Sequence, residues 1–249
     1  MPHKGNGPEP FILTILLLAY SNGMSMLAYR RGHDPERAYL FANPAVLLAM
    51  LLYAVKRPGG LPATGVRRDN LAGSVTKGLG LGALLSIVPL LFFRKPVLLD
   101  TPLEFGPVAN MSGRDLILDV AVRVPVNIAL MEEMAFRGLL YDSLQVRYSE
   151  RTALLGSAAA FAGWHFSVTY VAVKQTNLAD SVRLPGLLRP FILPIAVLGG
   201  MLSTAFAGLA FALLRKHTGS LAASIAAHWL VDSLLIMSLW HGQRPPRPK

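Results

Sequence analysis

Two adjacent carboxylates and a guanidinium stand inside an apolar stretch, Met131-Glu132-Glu133-Met134-Ala135-Phe136-Arg137. Ionisable groups in an apolar helix are costly, so they usually face a protein interior or a wet cavity, and they mark function. Two further apolar stretches carry residues that could share such a cavity, Phe161-Ala162-Gly163-Trp164-His165 and His228-Trp229-Leu230-Val231-Asp232. Carboxylates and imidazoles held together can activate water, move a proton or bind a divalent metal.

Spacing divides the labour. Asp115, Asp119, Arg123 and Asn127 recur every four residues and form one polar stripe on a helix. At about 100° per residue, Glu133 and Arg137 return to the Asp115/Asp119 side, while Glu132 points roughly 100° away. Pro125 interrupts the stripe and can bend the helix. Glu133 lies one turn before Arg137, the spacing of a buried ion pair that keeps both charged. Glu132 has no local cation, and a low-dielectric site would suit it to general base or acid work. The plainer reading of this stretch is a set of charges snorkelling out from a span end.

Ser157, Phe161, His165 and Thr169 share one helix face, and Ser224, His228 and Asp232 another. A carboxylate one turn from a histidine can orient the ring and set its tautomer. The plainer readings are a histidine bonded between helices and a satisfied His–Asp pair. Ser224, His228 and Asp232 are not a serine-hydrolase triad: they lie on one helix and no Gly-x-Ser-x-Gly elbow is present. Glu132, His165, His228 and Asp232 are acceptable zinc ligands, although no His-Glu-x-x-His spacing points to metal.

The elements that must position these groups are membrane spans. Of 249 residues, 53% are hydrophobic and 15% charged, against about 25% charged in soluble domains. The apolar residues come in long blocks, at about 10–29, 38–55, 71–93, 114–141, 152–173, 191–214 and 219–240. An all-α, polytopic transmembrane bundle of about seven to eight spans follows, with its site inside the bundle. The first block reads as a retained span, since no small-x-small cleavage pattern follows it. The +10 formal charge is scattered through loops, which fits membrane topology and a lipid bilayer rather than nucleic acid. The absence of cysteine excludes disulfides, iron–sulfur clusters, cysteine nucleophiles and cysteine-ligated zinc. Gly73, Gly78, Gly80 and Gly82 suit close helix approach, as do Gly200, Thr204 and Gly208. The connections at 94–113 and 174–190 are long and broken by prolines. No internal repeat supports a transporter.

Glu-Glu-x-x-x-Arg, Phe-x-x-x-His and His-x-x-x-Asp, in that order on three separate spans, resemble the CPBP intramembrane proteases. That family includes the type II CAAX prenyl proteases and bacteriocin-processing or immunity-type proteins. The resemblance covers about 114–240 as a catalytic core of spans four to seven. Residues 1–113 are then an N-terminal unit of three spans and a loop, and 241–249 a disordered tail. The resemblance implies an integral, multi-pass protein of the cell membrane that hydrolyses a peptide bond of a protein or peptide substrate near or within the bilayer. Glu132 would activate water, helped by His165. His228 and Asp232 would stabilise the oxyanion or orient the attacking group. Glu133 and Arg137 would hold the site together. Members are described as glutamate-type and as metal-dependent, so the cofactor is either none or a divalent metal such as zinc. Position 232 is Asp where many members carry Asn. An ionised Asp donates no hydrogen bond, so Asp232 would orient His228, bind metal or be protonated. The competing reading is a non-catalytic scaffold, or an immunity or maturation factor, that uses the same polar cavity for binding.

Overall fold

The computed structural model describes residues 7–33, 35–94, 101, 103–182 and 185–243. The expected tail falls largely on 244–249, outside them; the last helix continues to Gly242. Among the described residues the fold is all helix, with one isolated bridge between Phe105 and Thr176.

Eight helical stretches carry the bundle. They are α1 (Glu9–Arg30), α2 (Pro35–Lys56), α3 (Leu71–Arg94), α4 (113–147), α5 (Glu150–Trp164), α6 (Phe166–Lys174), α7 (Ile192–Thr218) and α8 (Leu221–Gly242). Helix starts follow local chemistry. Ser112 and Asp115 cap α4 reciprocally, while the Ser149 and Ser220 hydroxyls accept backbone N–H bonds at α5 and α8. Gly219, at φ 68°, ends α7 in a conformation that L side chains resist.

Five of these helices, α1, α2, α3, α7 and α8, are long and apolar enough to cross a membrane. The other two expected spans are helical but interrupted. α4 contains two π-helical stretches, and the run from 150 to 174 breaks at His165, which separates α5 from α6. Large apolar side chains face outward, among them Ile15, Phe41, Leu84, Val88, Leu198 and Phe206. Ser21, Ser25, Asn43, Ser86, Ser157 and Ser224 are buried between helices. That inside-out distribution suits a hydrocarbon solvent, where small and polar residues serve helix–helix contact.

α8 packs along the length of α3 and also against α4 and α7. Gly78 and Gly82 make the α3–α8 approach: a Cβ on Gly78 would run into the Ala223 carbonyl, and one on Gly82 would lie 2.7 Å from the Ala227 carbonyl oxygen. Gly80, expected to share this role, faces open space, and Gly73 meets only the Asn70 side chain of its own segment. α1 and α2 close the other side, with the Asn43 amide donating to the Asn127 carbonyl at 2.7 Å. Gly78→Val should therefore lower stability by about 1–3 kcal/mol, the range for overpacking, whereas Gly80→Val should not. Thermal unfolding of both variants in detergent tests this.

Candidate active site

α4 positions both glutamates through an irregular backbone. Pro125 lacks an N–H, and its ring displaces the carbonyl one turn before it. The π stretches Asp119–Ala129 and Met134–Leu140 flank one α turn, Leu130–Glu133. A π turn takes up one more residue than an α turn, so the side-chain register shifts. The regular projection placed Glu133 and Arg137 on the Asp115/Asp119 side and turned Glu132 roughly 100° away. In the structure Glu132 lines a cavity with Arg123 and Asn127.

Glu133 and Arg137 turn inward and are wholly buried, with Arg137 Nη1 2.7 Å from Glu133 Oε1. The same oxygen accepts from His228 Nδ1 at 2.9 Å. The guanidinium carbon lies 4.0 Å from the Phe161 ring centre and 5.2 Å from that of Phe211, so π faces take the place of further acceptors. Phe211 also stacks on the His228 ring at 5.3 Å. Gly208 makes room for this sandwich: a Cβ there would stand 3.0 Å from Phe161 and 3.1 Å from Arg137 Nη2.

Glu132 points the other way, with each oxygen in a different role. Oε1 accepts from the Trp164 indole N–H at 3.0 Å. Oε2 is buried without a hydrogen-bond partner among the described residues, and lies 3.8 Å from both His165 Nε2 and His228 Nε2. His165 Nδ1 is 2.8 Å from the Phe161 carbonyl, which can only accept, so its proton sits on Nδ1 and Nε2 is turned to the glutamate. Asp232 Oδ2 lies 3.4 Å from His228 Nε2. The closest carboxylate partner of His228 is thus Glu133 on another helix.

Glu132, His165 and Asp232 open onto a cavity of about 440 Å³. Its lining adds the polar Tyr39, Asn43, Asn127 and Thr204 and the apolar Ile128, Val168, Val171, Leu235 and Ile236. Phe105 and Pro107 close one side, from a segment tied down by Gly106 N–H to the Gln175 carbonyl at 3.2 Å and Asn177 N–H to the Glu104 carbonyl at 3.4 Å.

Carboxylates and an imidazole from three helix segments, Glu132, Asp232 and His165, line one cavity in a bundle whose outer face is apolar. Residues 115–234, which contain these side chains together with Glu133, Arg137 and His228, match the family model described as type II CAAX prenyl endopeptidase Rce1-like. Through this stretch the chain belongs to that family. No curated protein matches the chain. No solved structure matches it either. At family level this supports a CAAX-protease-like endopeptidase, which implies a peptide substrate, and the five long apolar helices fit an integral, multi-pass membrane protein.

This Rce1-like site brings Glu132, Glu133, Arg137, His165, His228 and Asp232 together. No group of three His, Asp or Glu side chains among the described residues is arranged to hold a metal ion. Glu132, His165, His228 and Asp232, the ligand set the sequence offered, are not such a group. Trp164 was not singled out from the sequence, although it sits beside His165. Tyr39 and Asn43 carry no sequence signal, because their bonds run to other helices: to Ser21, Ser25 and Tyr20 on α1 and to Asn127 on α4. Arg137→Ala should cost about 3–5 kcal/mol, since it strands a buried carboxylate. Folded yield and melting temperature in detergent should both fall; a normal melting temperature would dismiss the pair as a stabilising element.

Proposed function

We propose that this protein is a peptidase of the cell membrane in which Glu132 is the general base. The observation that carries the reading is Glu132 Oε2, a buried carboxylate oxygen without a hydrogen-bond partner among the described residues, facing two imidazole Nε2 atoms at 3.8 Å. A water about 2.8 Å from that oxygen lies within hydrogen-bond reach of either Nε2.

Glu132 takes one proton of that water, and His165 accepts a hydrogen bond from the other. The hydroxide adds to the peptide carbonyl carbon, giving a tetrahedral oxyanion. His228, held by Glu133 on Nδ1 and flanked by Asp232, presents a protonated Nε2 to that oxyanion. Glu132 then returns its proton to the departing amine nitrogen, so carboxylic acid and amine leave and the carboxylate is restored. Glu133 and Arg137 keep His228 in place and touch no substrate. Asp232 orients the ring, because an ionised carboxylate cannot donate to the oxyanion. The apolar part of the lining suits an aliphatic substrate side chain. No step is routed through a metal.

Two outcomes are expected. Glu132→Gln keeps the shape but cannot take a proton, so turnover of a cleavable peptide should fall by about 10²–10⁴-fold with the melting temperature unchanged. Retained cleavage would remove Glu132 as base, and binding without cleavage in the parent would favour a scaffold. Cleavage should also persist in excess chelator. Loss with chelator and recovery with zinc would instead make the imidazoles and carboxylates ligands.

A further inference from the structure

The break between α5 and α6 is made by another helix. In a continuous α-helix the Ser167 N–H would bond the Gly163 carbonyl. Here the side-chain amide of Asn22 on α1 stands between them. Its Nδ2 donates to the Gly163 carbonyl at 3.0 Å, and its Oδ1 accepts from the Ser167 N–H at 2.9 Å. The second Nδ2 hydrogen goes to Leu18 in its own helix at 2.9 Å, so both amide N–H bonds are used. Next to it, the Ser21 hydroxyl donates to the Trp164 carbonyl at 2.8 Å. Insertion of a side chain into the helical ladder is a known cause of sharp kinks.

The residue at the opened turn is His165, at φ −85° and ψ 0°, in the sparsely populated bridge region. Its neighbour Trp164 bonds one oxygen of Glu132, while His165 Nε2 faces the other. A closed ladder would rotate both residues away from that arrangement. α1 lies outside residues 115–234, so the family match does not include this contact.

We infer that Asn22 is a positioning residue: by replacing the hydrogen bond from Ser167 to Gly163, it holds open the turn that aims Trp164 and His165 at the two oxygens of Glu132. The inference rests on the proposed role of His165 in hydrolysis. Asn22→Leu removes both bonds and frees the ladder to close. Asn22→Ser keeps a hydroxyl that can make one of them.

The test is made on the full chain in detergent. Nitrogen-15 histidine labelling, with His165 assigned from His165→Ala, reads ring placement without substrate. The His165 ring signals should move in Asn22→Leu, less in Asn22→Ser, and not in Gly80→Val. In the cleavage assay, normalised to folded protein, Asn22→Leu should lower kcat by about 100-fold, the scale for displacing a reacting group by about 1 Å, with KM unchanged. Asn22→Ser should recover part of the loss. An unmoved His165 signal, or a parental kcat, would overturn the inference. Failure of both variants to fold would also overturn it, in favour of a purely structural contact. If the signal moves while the parent cleaves nothing, the positioning stands and the hydrolase reading falls.

Discussion

A carboxylate and a guanidinium with no solvent exposure set the terms for the rest of this bundle. Glu133 and Arg137 have given up water, and their mutual attraction offsets that loss only if every neighbour cooperates. His228 supplies a second hydrogen bond to Glu133, which draws α8 against α4. Phe161 and Phe211 supply aromatic faces to the guanidinium, which draws in α5 and α7. Gly208 then has to lack a side chain, and Gly78 and Gly82 let α3 support α8 from behind. Four helices are thereby indexed to a pair of charges one turn apart.

Neighbouring positions on one turn give the two glutamates opposite tasks. Glu133 is wholly buried, with its Oε1 shared between Arg137 and His228 and its Oε2 without a hydrogen-bond partner among the described residues. Glu132 is held by a single indole N–H on Oε1, and its other oxygen is buried facing the two imidazoles. A general base must be steady in position yet keep an uncommitted lone pair. One donor on one oxygen meets both needs, whereas a second donor would quench the base.

Much of this was legible in the sequence because it depends on local spacing. Apolar block length gave the all-helical bundle and placed Glu132, His165 and His228 on different helices. The four-residue interval from Glu133 to Arg137 gave the ion pair that the structure contains. The irregular backbone that carries both glutamates was not legible, because periodicity assumes a regular helix and the π stretches around Leu130–Glu133 leave the residue pattern unchanged. The break at His165 was also hidden: no proline or glycine sits at the residue itself, and its cause, Asn22, is more than 140 residues away in sequence. The wall formed by Phe105 and Pro107 was visible only as a proline-broken loop, since the two backbone bonds to 175–177 are non-local. Hydrogen bonds between distant polar side chains leave no periodic trace.

A hydrolase inside a bilayer must bring together water, a charged base and an apolar peptide in a solvent that rejects the first two. The cavity offers both kinds of partner. Asn43, Asn127, Tyr39 and Thr204 can bond water, and Val168, Val171, Leu235 and Ile236 can meet an aliphatic side chain. Glu132, His165 and Asp232 line the same cavity. Low polarity raises the electrostatic stakes of every contact there. The one donor to Glu132 among the described residues, the Trp164 indole, comes from the packed end of a helix rather than a loop. Trp164 is locked by ring contacts to Tyr20 and Phe136, and His165 by the carbonyl one turn before it. A base whose partners could wander would lose its orientation at the moment of proton transfer, when no bulk water is present to take their place.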